Sequence, residues 1–235
     1  MASVDIVIPV YNEEVALSRS IATLKNFLKE HASFSWRIVI ADNASTDKTL
    51  DIAKELSEQD TNVTYVHLDL KGRGRALKKA WLESDADIVS YMDVDLSTEL
   101  EALPLLVNAI EDGYGVAIGS RLIRDSEVIG RSLKREITSR GYNLLIKLIF
   151  SPKFADAQCG FKAVRIDVVK AIVPYIENNE WFFDTELLLL TTKKGYRIKE
   201  IPVKWTDDPD TRVDVVKTAI EDIKGLLRVR FRPPF

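Results

Sequence analysis

One cysteine in 235 residues, Cys159, leaves nothing to form an internal disulfide with, a pattern that suits a reducing compartment. No stretch reaches the ~18 consecutive apolar residues of a membrane span. No signal peptide precedes Asp5. The expectation is a protein of the cytosol, free or attached to a membrane surface. An excess of one charge is missing too: 33 basic against 36 acidic residues give a net charge of −3. That excludes a nucleic-acid grip spread over the whole surface. There is no internal repeat, low-complexity tract or linker, so the chain reads as one domain. With 46% hydrophobic and 29% charged residues it has the makeup of a folded protein with one sizeable core, and disorder is excluded.

The charges that are present are unevenly placed. From Asp93 to Asp112 there are six acidic residues and no basic one, whereas Arg121 to Lys147 holds seven basic against three acidic. From Arg212 onward there are six basic and three acidic. An acidic centre flanked by basic segments suits a protein that holds a metal cation beside phosphate groups. Taken singly, most of these charges read equally well as solvated helix faces.

Hydrophobic spacing alternates between two periods. Apolar runs at 4–10, 37–41, 63–68 and 88–92 read as buried strands, separated by helical spacing after Val15, after Leu50 and from Ala76 to Leu82. Three β-α units leading into a fourth strand predict an α/β fold, a mainly parallel wound sheet with flanking helices. Further strands are expected at 115–119, 161–164 and, as an edge strand with Pro202, 197–205. Helices are expected at 131–150, 168–176, 181–194 and 213–229. Parallel sheets bind ligands at the carboxyl ends of their strands.

Asp93-Val94-Asp95 falls where the fourth strand runs into its loop. Carboxylates at i and i+2 share a strand face, and at a frayed strand end both reach one cation. A hard divalent ion takes one or two carboxylates and completes its shell with phosphate oxygens. The plain alternative is a solvated turn. Two more polar loops follow strands one and two, Pro9-Val10-Tyr11-Asn12-Glu13-Glu14 and Asp42-Asn43-Ala44-Ser45-Thr46-Asp47. Asp47 or Ser45 is a candidate helix cap, and Asp42 is placed to accept from a ribose hydroxyl or a base N–H. The glycines of Lys71-Gly72-Arg73-Gly74-Arg75, after strand three, permit close backbone approach to a diphosphate, or form a plain loop. Arg73 and Arg75 receive no assignment.

These three polar loops resemble the family 2 glycosyltransferases with a GT-A fold. Gly119-Ser120-Arg121, Asp156-Ala157-Gln158-Cys159-Gly160-Phe161-Lys162, Trp181-Phe182-Phe183-Asp184-Thr185-Glu186 and Glu200-Ile201-Pro202-Val203-Lys204-Trp205 narrow the likeness. They are similar to the polyprenyl-phosphate hexose synthases, dolichyl-phosphate glucosyltransferases first and dolichyl-phosphate mannose synthases second. The resemblance covers nearly the whole chain. It implies inverting transfer of a hexose from a nucleotide sugar, UDP-glucose before GDP-mannose, to a polyprenyl or dolichyl phosphate. It makes residues 1–98 the nucleotide-sugar half and 99–235 the acceptor half.

By the family pattern, Pro9, Tyr11, Glu13 and Asp42 hold the nucleoside, and Gly72 matches a family glycine. Asp93, Val94 and Asp95 meet the diphosphate, with the two aspartates holding Mg²⁺ or Mn²⁺. Where the mannose synthases often carry a glutamine as third ligand, this chain has Ser97, a weaker ligand. Arg212 corresponds to a basic residue that closes on the diphosphate, although its loop is acid-rich here. Arg121, Arg135 and Ser139 match the acceptor-phosphate positions, which makes Arg121 catalytic together with Asp93 and Asp95. Arg135 and Ser139 are i, i+4 on one helix face, Asn143 extends it, and a guanidinium fork with a hydroxyl suits a phosphate. An exposed basic helix is the plain alternative. Asp156, Gln158 and Asp184 are expected to bond sugar hydroxyls or position the acceptor, with Trp181 as an apolar platform.

A phosphate monoester is already largely ionised at pH 7, its second pKa being ~6, so such an acceptor needs no general base. That fits a chain whose two histidines, His31 before strand two and His67 within strand three, are assigned no role. Leu133, Ile137, Leu144, Leu145, Leu148 and Ile149 give the 131–150 helix an apolar side opposed by Arg131, Lys134 and Lys147. Such a helix lies in the headgroup region of an anionic leaflet or packs on the core; the resemblance favours the membrane, at its cytosolic face. Arg228, Arg230 and Arg232 beside Val229, Phe231 and Phe235 offer a second contact.

Two other readings compete. Asp93-x-Asp95-x-Ser97 resembles the aspartate-nucleophile signature of haloacid-dehalogenase-type phosphatases, but on the fourth strand instead of the first. A non-catalytic nucleotide-sugar-binding protein would bind the donor without releasing nucleoside diphosphate.

Overall fold

The computed structural model describes residues 1–207 and 215–235. The amino-terminal part alternates strand and helix: β1 (Ser3–Val10), α1 (Leu17–His31), β2 (Ser35–Asn43), α2 (Thr49–Gln59), β3 (Val63–Leu68), α3 (Arg73–Leu82) and β4 (Ile88–Met92). After β4 come α4 (Ala102–Glu111), β5 (Val116–Ser120), β6 (Glu127–Ile129), α5 (Leu133–Phe150), β7 (Phe161–Arg165) and α6 (Ile166–Ile172). A single 3₁₀ turn at Val173–Tyr175, α7 (Phe183–Lys193), β8 (Ile198–Pro202), β9 (Lys204–Thr206) and α8 (Val215–Phe231) complete the order.

Seven strands form the main sheet in the order β3-β2-β1-β4-β7-β5-β8. All neighbours are parallel except β7, which runs antiparallel to both β4 and β5. Both faces are covered, which explains the unbroken apolar runs. Ile6, Ile8, Ile38 and Ile40 point into the layer of α1 and α4, while Val7, Val39 and Ala41 point into the layer of α3, α6 and α7.

The sheet order decides where the loops meet. Because β7 is the one reversed strand, its start lies beside the end of β4, with Met92 paired to Phe161. Gly160 is thereby brought against Asp93, so closely that a Cβ would collide with the carboxylate. The ends of β5 and β8 reach the same edge through the pair Ser120 and Pro202.

Several elements differ from the sequence expectation. Helix α4 was hidden within the acidic 93–112 stretch. Leu103, Leu106, Val107 and Ile110 are its buried stripe, and Pro104 is tolerated because it falls in the first turn. The expected edge strand at 197–205 breaks at Val203, since β8 pairs with β5 while β9 leaves to pair with β6. His31 ends α1 instead of lying in a loop, its ring stacked on Phe27 at 4.5 Å. The apolar side of α5 is divided. Leu145 and Ile149 pack on the core, whereas Leu133, Ile137, Leu144 and Leu148 are exposed.

Candidate active site

The carboxyl ends of β1, β2, β4 and β5, the segment before β7 and strand β9 surround an open cleft of about 570 Å³. Its lining includes Pro9, Tyr11, Glu13, Asp93, Val94, Asp95, Arg121, Arg135 and Gln158, nine of the residues singled out from sequence. Asn43, Lys71, Arg73, Trp181 and Trp205 join them. Among the described residues, three of the five non-glycine residues with left-handed backbone, Asn12 (φ 55°), Ala44 (φ 60°) and Leu96 (φ 52°), lie in the loops at this edge. Such conformations need surrounding structure to hold them. Here the β1 and β2 loops brace each other: Thr46 N–H donates to Asn12 Oδ1 at 2.8 Å, and Glu13 N–H donates to Thr49 Oγ1 at 2.7 Å.

Asp93 is half-buried and Asp95 exposed, both at the mouth of the cleft. Asp95 Oδ1 accepts the Ser97 N–H at 2.9 Å, which ties down the tight turn that Leu96 makes. Two carboxylates and a hydroxyl, all hard oxygen donors, suit Mg²⁺ or Mn²⁺ completed by phosphate oxygens. Among the described residues no cluster of three or more His, Cys, Asp or Glu could hold a metal without such help.

Arg121 and Arg135 bring basic charge to the same cleft and, with Arg131, gather around Trp205. The guanidinium carbons of Arg121, Arg131 and Arg135 lie 5.4, 5.6 and 5.9 Å from the centre of the Trp205 ring. Arg121 is fixed from behind: its Nε donates to Asp156 Oδ2 at 2.7 Å and its second nitrogen to Oδ1 at 2.9 Å. Arg135 pairs with Asp207. Burial, and next the nearby Arg121 charge, push the Arg131 guanidinium below its usual pKa despite its pair with Glu136. Its Nε is buried without an acceptor. Three guanidinium groups thus gather around one ring, each held by a carboxylate: Arg121 by Asp156, Arg131 by Glu136 and Arg135 by Asp207.

Other expected site residues stand behind the cleft wall instead of on it. Asp156 is fully buried on Arg121. Burial raises its pKa, but the Arg121 charge and the Arg121 hydrogen bonds together outweigh this and hold the carboxyl below its usual range. Asp184 is buried between Lys162 Nζ at 2.8 Å and Arg73 at 2.8 Å, and Tyr91 donates its hydroxyl to it. Burial again pushes upward, and Lys162 and Arg73 prevail, so this carboxyl too stays low. Neither acid is open to a sugar hydroxyl, which removes the first of the two expected roles and leaves the second, positioning, because each neutralises a buried cation. Asp42 is also buried and does not line the cleft. His67 Nδ1 lies 2.6 Å from its Oδ2, so a residue assigned no role orients one assigned to the nucleoside. Its neighbour Asn43 takes the cleft position.

Gly72 serves packing: a Cβ there would come within 2.7 Å of the Asn179 carbonyl, and its N–H donates to Asn43 Oδ1 at 2.6 Å. Ser139 is buried on α5 away from the lining, and Asn143 accepts the Ala157 N–H at 3.0 Å instead of extending a phosphate face. Arg212 lies outside the described residues. Cys159 is buried, and burial lifts its thiol to about 11, which removes it as a nucleophile. Sequence reading missed Arg73, Arg131 and Trp205 as site residues. The signal for Arg73 was a cation between two glycines, and Trp205 lay within a recognised motif.

Strand order, the reversed β7 and an acidic pair at the end of β4 define a GT-A-type α/β fold. Residues 5–173 match the description Glycosyl transferase family 2, and the chain belongs to that family. It is 36% identical over 229 residues to "Glycosyltransferase AglD" of Haloferax volcanii, covering 95% of this chain and 35% of that protein. It is 29% identical over 244 residues to a dolichyl-phosphate beta-glucosyltransferase of Dictyostelium discoideum, covering 97% and 73%. The chain thus spans about a third of the first relative and about three quarters of the second. In fold it is similar to glucosyl-3-phosphoglycerate synthase from Mycobacterium tuberculosis, solved with Mn²⁺, UDP and glucosyl-3-phosphoglycerate. The TM-score is 0.72 at 15% identity, over 97% of this chain and 80% of that one. Membership of this family replaces the phosphatase reading, in whose mechanism the cleft-lining β1 loop had no part.

Proposed function

We propose that the protein is an inverting hexosyltransferase moving a sugar from a nucleotide sugar, UDP-glucose before GDP-mannose, to a polyprenyl or dolichyl phosphate. The observation that carries this reading is that one cleft is lined by the Asp93–Asp95 pair and by Arg121 and Arg135, with Arg131 beside them on the Trp205 ring. An acidic wall suits a cation on the donor diphosphate, and a basic wall suits an anionic acceptor.

Tyr11, Glu13 and Asn43 wall the nucleoside end, next to Lys71, whose Nζ sits 3.3 Å from the centre of the Tyr11 ring. Asp93 and Asp95 are the residues to hold Mg²⁺ or Mn²⁺, with Ser97 beside them. When bound, such an ion neutralises charge developing on the departing diphosphate. Arg121, Arg131 and Arg135 hold the acceptor phosphate and aim one oxygen at the anomeric carbon. Phosphate at pH 7 already carries the attacking lone pair, so no residue has to remove a proton. The rigid Asp156 support keeps Arg121 in place without reorganisation during transfer.

A membrane contact belongs to the same reading. Leu133 and Leu148 of α5 are each 75% exposed, and Ile223, Leu227 and Phe231 of α8 are exposed as well. No helix among the described residues is long and apolar enough to cross a membrane; the contact proposed for this part of the protein is by these faces lying in the headgroup layer, at the cytosolic side. The test is a panel of nucleotide sugars with a short polyprenyl phosphate and Mg²⁺ or Mn²⁺, scored for lipid-linked sugar. Asp95→Ala is expected to reduce transfer about a thousandfold. Donor binding without transfer to any lipid phosphate would favour the non-catalytic reading.

A further inference from the structure

Arg73 is the least expected feature of the cleft. It opens α3 between Gly72 and Gly74, and a Cβ on Gly74 would come within 2.7 Å of Phe183 Cβ. The two glycines let the start of α3 press against the segment leading into α7, where Arg75 N–H donates to Asn179 O at 3.1 Å. That approach buries the Arg73 side chain between two rings, its guanidinium carbon 5.0 Å from the centre of Tyr91 and 4.9 Å from that of Trp181. One nitrogen of the fork donates to Asp184 Oδ2 and another to Asp93 Oδ1, both at 2.8 Å.

Charge balance shows which partner needs it. Asp184 already has a fully buried cation in Lys162, 2.8 Å from its other oxygen. Lys162 and Asp184 are neutral as a pair. Adding Arg73 leaves one buried positive charge, and Asp93 is the anion that balances it. Removing Arg73 would leave the inner pair intact and Asp93 without its cation. A planar fork clamped at one end on Asp184 also fixes where its other end holds Asp93, which a flexible ammonium does less well.

We propose that Arg73 is a positioning residue for Asp93: anchored on Asp184, it holds Oδ1 while Oδ2 lies against Gly160, and so fixes how the carboxylate is presented to a cation on the donor diphosphate. The inference rests on the reading of Asp93 and Asp95 as the cation site. Partners that orient a metal-binding carboxylate change metal affinity by about 10- to 100-fold when lost. Simple electrostatics predicts the opposite sign, because deleting a positive charge beside a cation should tighten its binding.

Titration of UDP into wild type, Arg73→Met and Arg73→Lys, in EDTA and in Mn²⁺, separates these. Wild type is expected to bind UDP more tightly in Mn²⁺. Arg73→Met should lose about tenfold or more of that metal-dependent gain with little change in EDTA, and Arg73→Lys should lose less. An unchanged or larger gain in Arg73→Met, or an equal loss with and without metal, overturns the proposal. If Arg73→Met does not fold, Arg73→Lys decides alone: a reduced gain supports the role and a wild-type gain refutes it. No metal effect in wild type would remove the cation-site reading itself, and this inference with it.

Discussion

Arg121 and Asp156 form a two-pronged pair in which the carboxylate is fully buried and the guanidinium nearly so, with distances of 2.7 and 2.9 Å. The Arg121 backbone N–H donates to the same carboxylate at 3.1 Å. One face of the arginine is thus anchored while the other meets the cleft.

Asp156→Asn should therefore act on stability and on acceptor use together. Leaving Arg121 without its counter-charge costs about 3–5 kcal/mol, measurable by denaturant unfolding. The sign of the pH effect follows from the lowered carboxyl. A folded-state pKa below the unfolded value contributes stability above about pH 4, and this is lost as pH falls through the folded value. The mutant's stability should fall less steeply than wild type's below about pH 4.

Arg131 joins Arg121 and Arg135 around Trp205 only in three dimensions, so it offers a test of the proposed acceptor site independent of the family pattern. Arg131→Ala and Arg135→Ala should each raise the KM for lipid phosphate by about 10- to 100-fold, the worth of one charge-assisted hydrogen bond. Slow hydrolysis of the donor should be unaffected. Equal losses in both reactions would place these arginines on the donor.

Asp222, on α8, accepts a hydrogen bond from Gln158 Nε2 at 3.1 Å, and burial lifts its carboxyl to about 7. The folded state thus keeps a proton that the unfolded chain releases near pH 4. Stability should decline as pH rises from about 4 to about 7 and level off beyond it. Asp222→Asn should remove that decline in a series of thermal melts, giving a mutant more stable than wild type at pH 8 and similar at pH 4.

The exposed leucines of α5 predict a surface effect without a folding effect. Leu144→Glu with Leu148→Glu should cut binding to anionic vesicles by about tenfold or more, each leucine being worth about 1.5–3 kcal/mol when buried. The melting temperature should stay within a few degrees of wild type. Unchanged sedimentation with vesicles would assign the face to some other role.

Much of the molecule was written in local pattern. Strands β3 and β4 were legible to the residue, because apolar runs bounded by polar loops leave little choice of period. Asp93, Asp95, Tyr11 and Glu13 were legible because their loops end parallel strands, and such ends share one edge. Pairings between distant segments were not legible. Asp156 and Asp184 looked like ligand-binding acids in sequence, since nothing local shows that Arg121, Lys162 and Arg73 arrive from other elements to neutralise them.

Sequence alone determined that this chain winds a parallel sheet and puts an aspartate pair at its ligand edge, since hydrophobic period and loop position are properties of neighbouring residues. The tertiary structure decided which charges face the cleft and which are consumed behind it. It did so by setting reversed β7 against β4, which lays Gly160 on Asp93, and by pressing the glycine-flanked start of α3 onto α7, which buries Arg73 between two acids. A buried charge must find its partner wherever the fold supplies one, and that partner is a matter of space, not of sequence order.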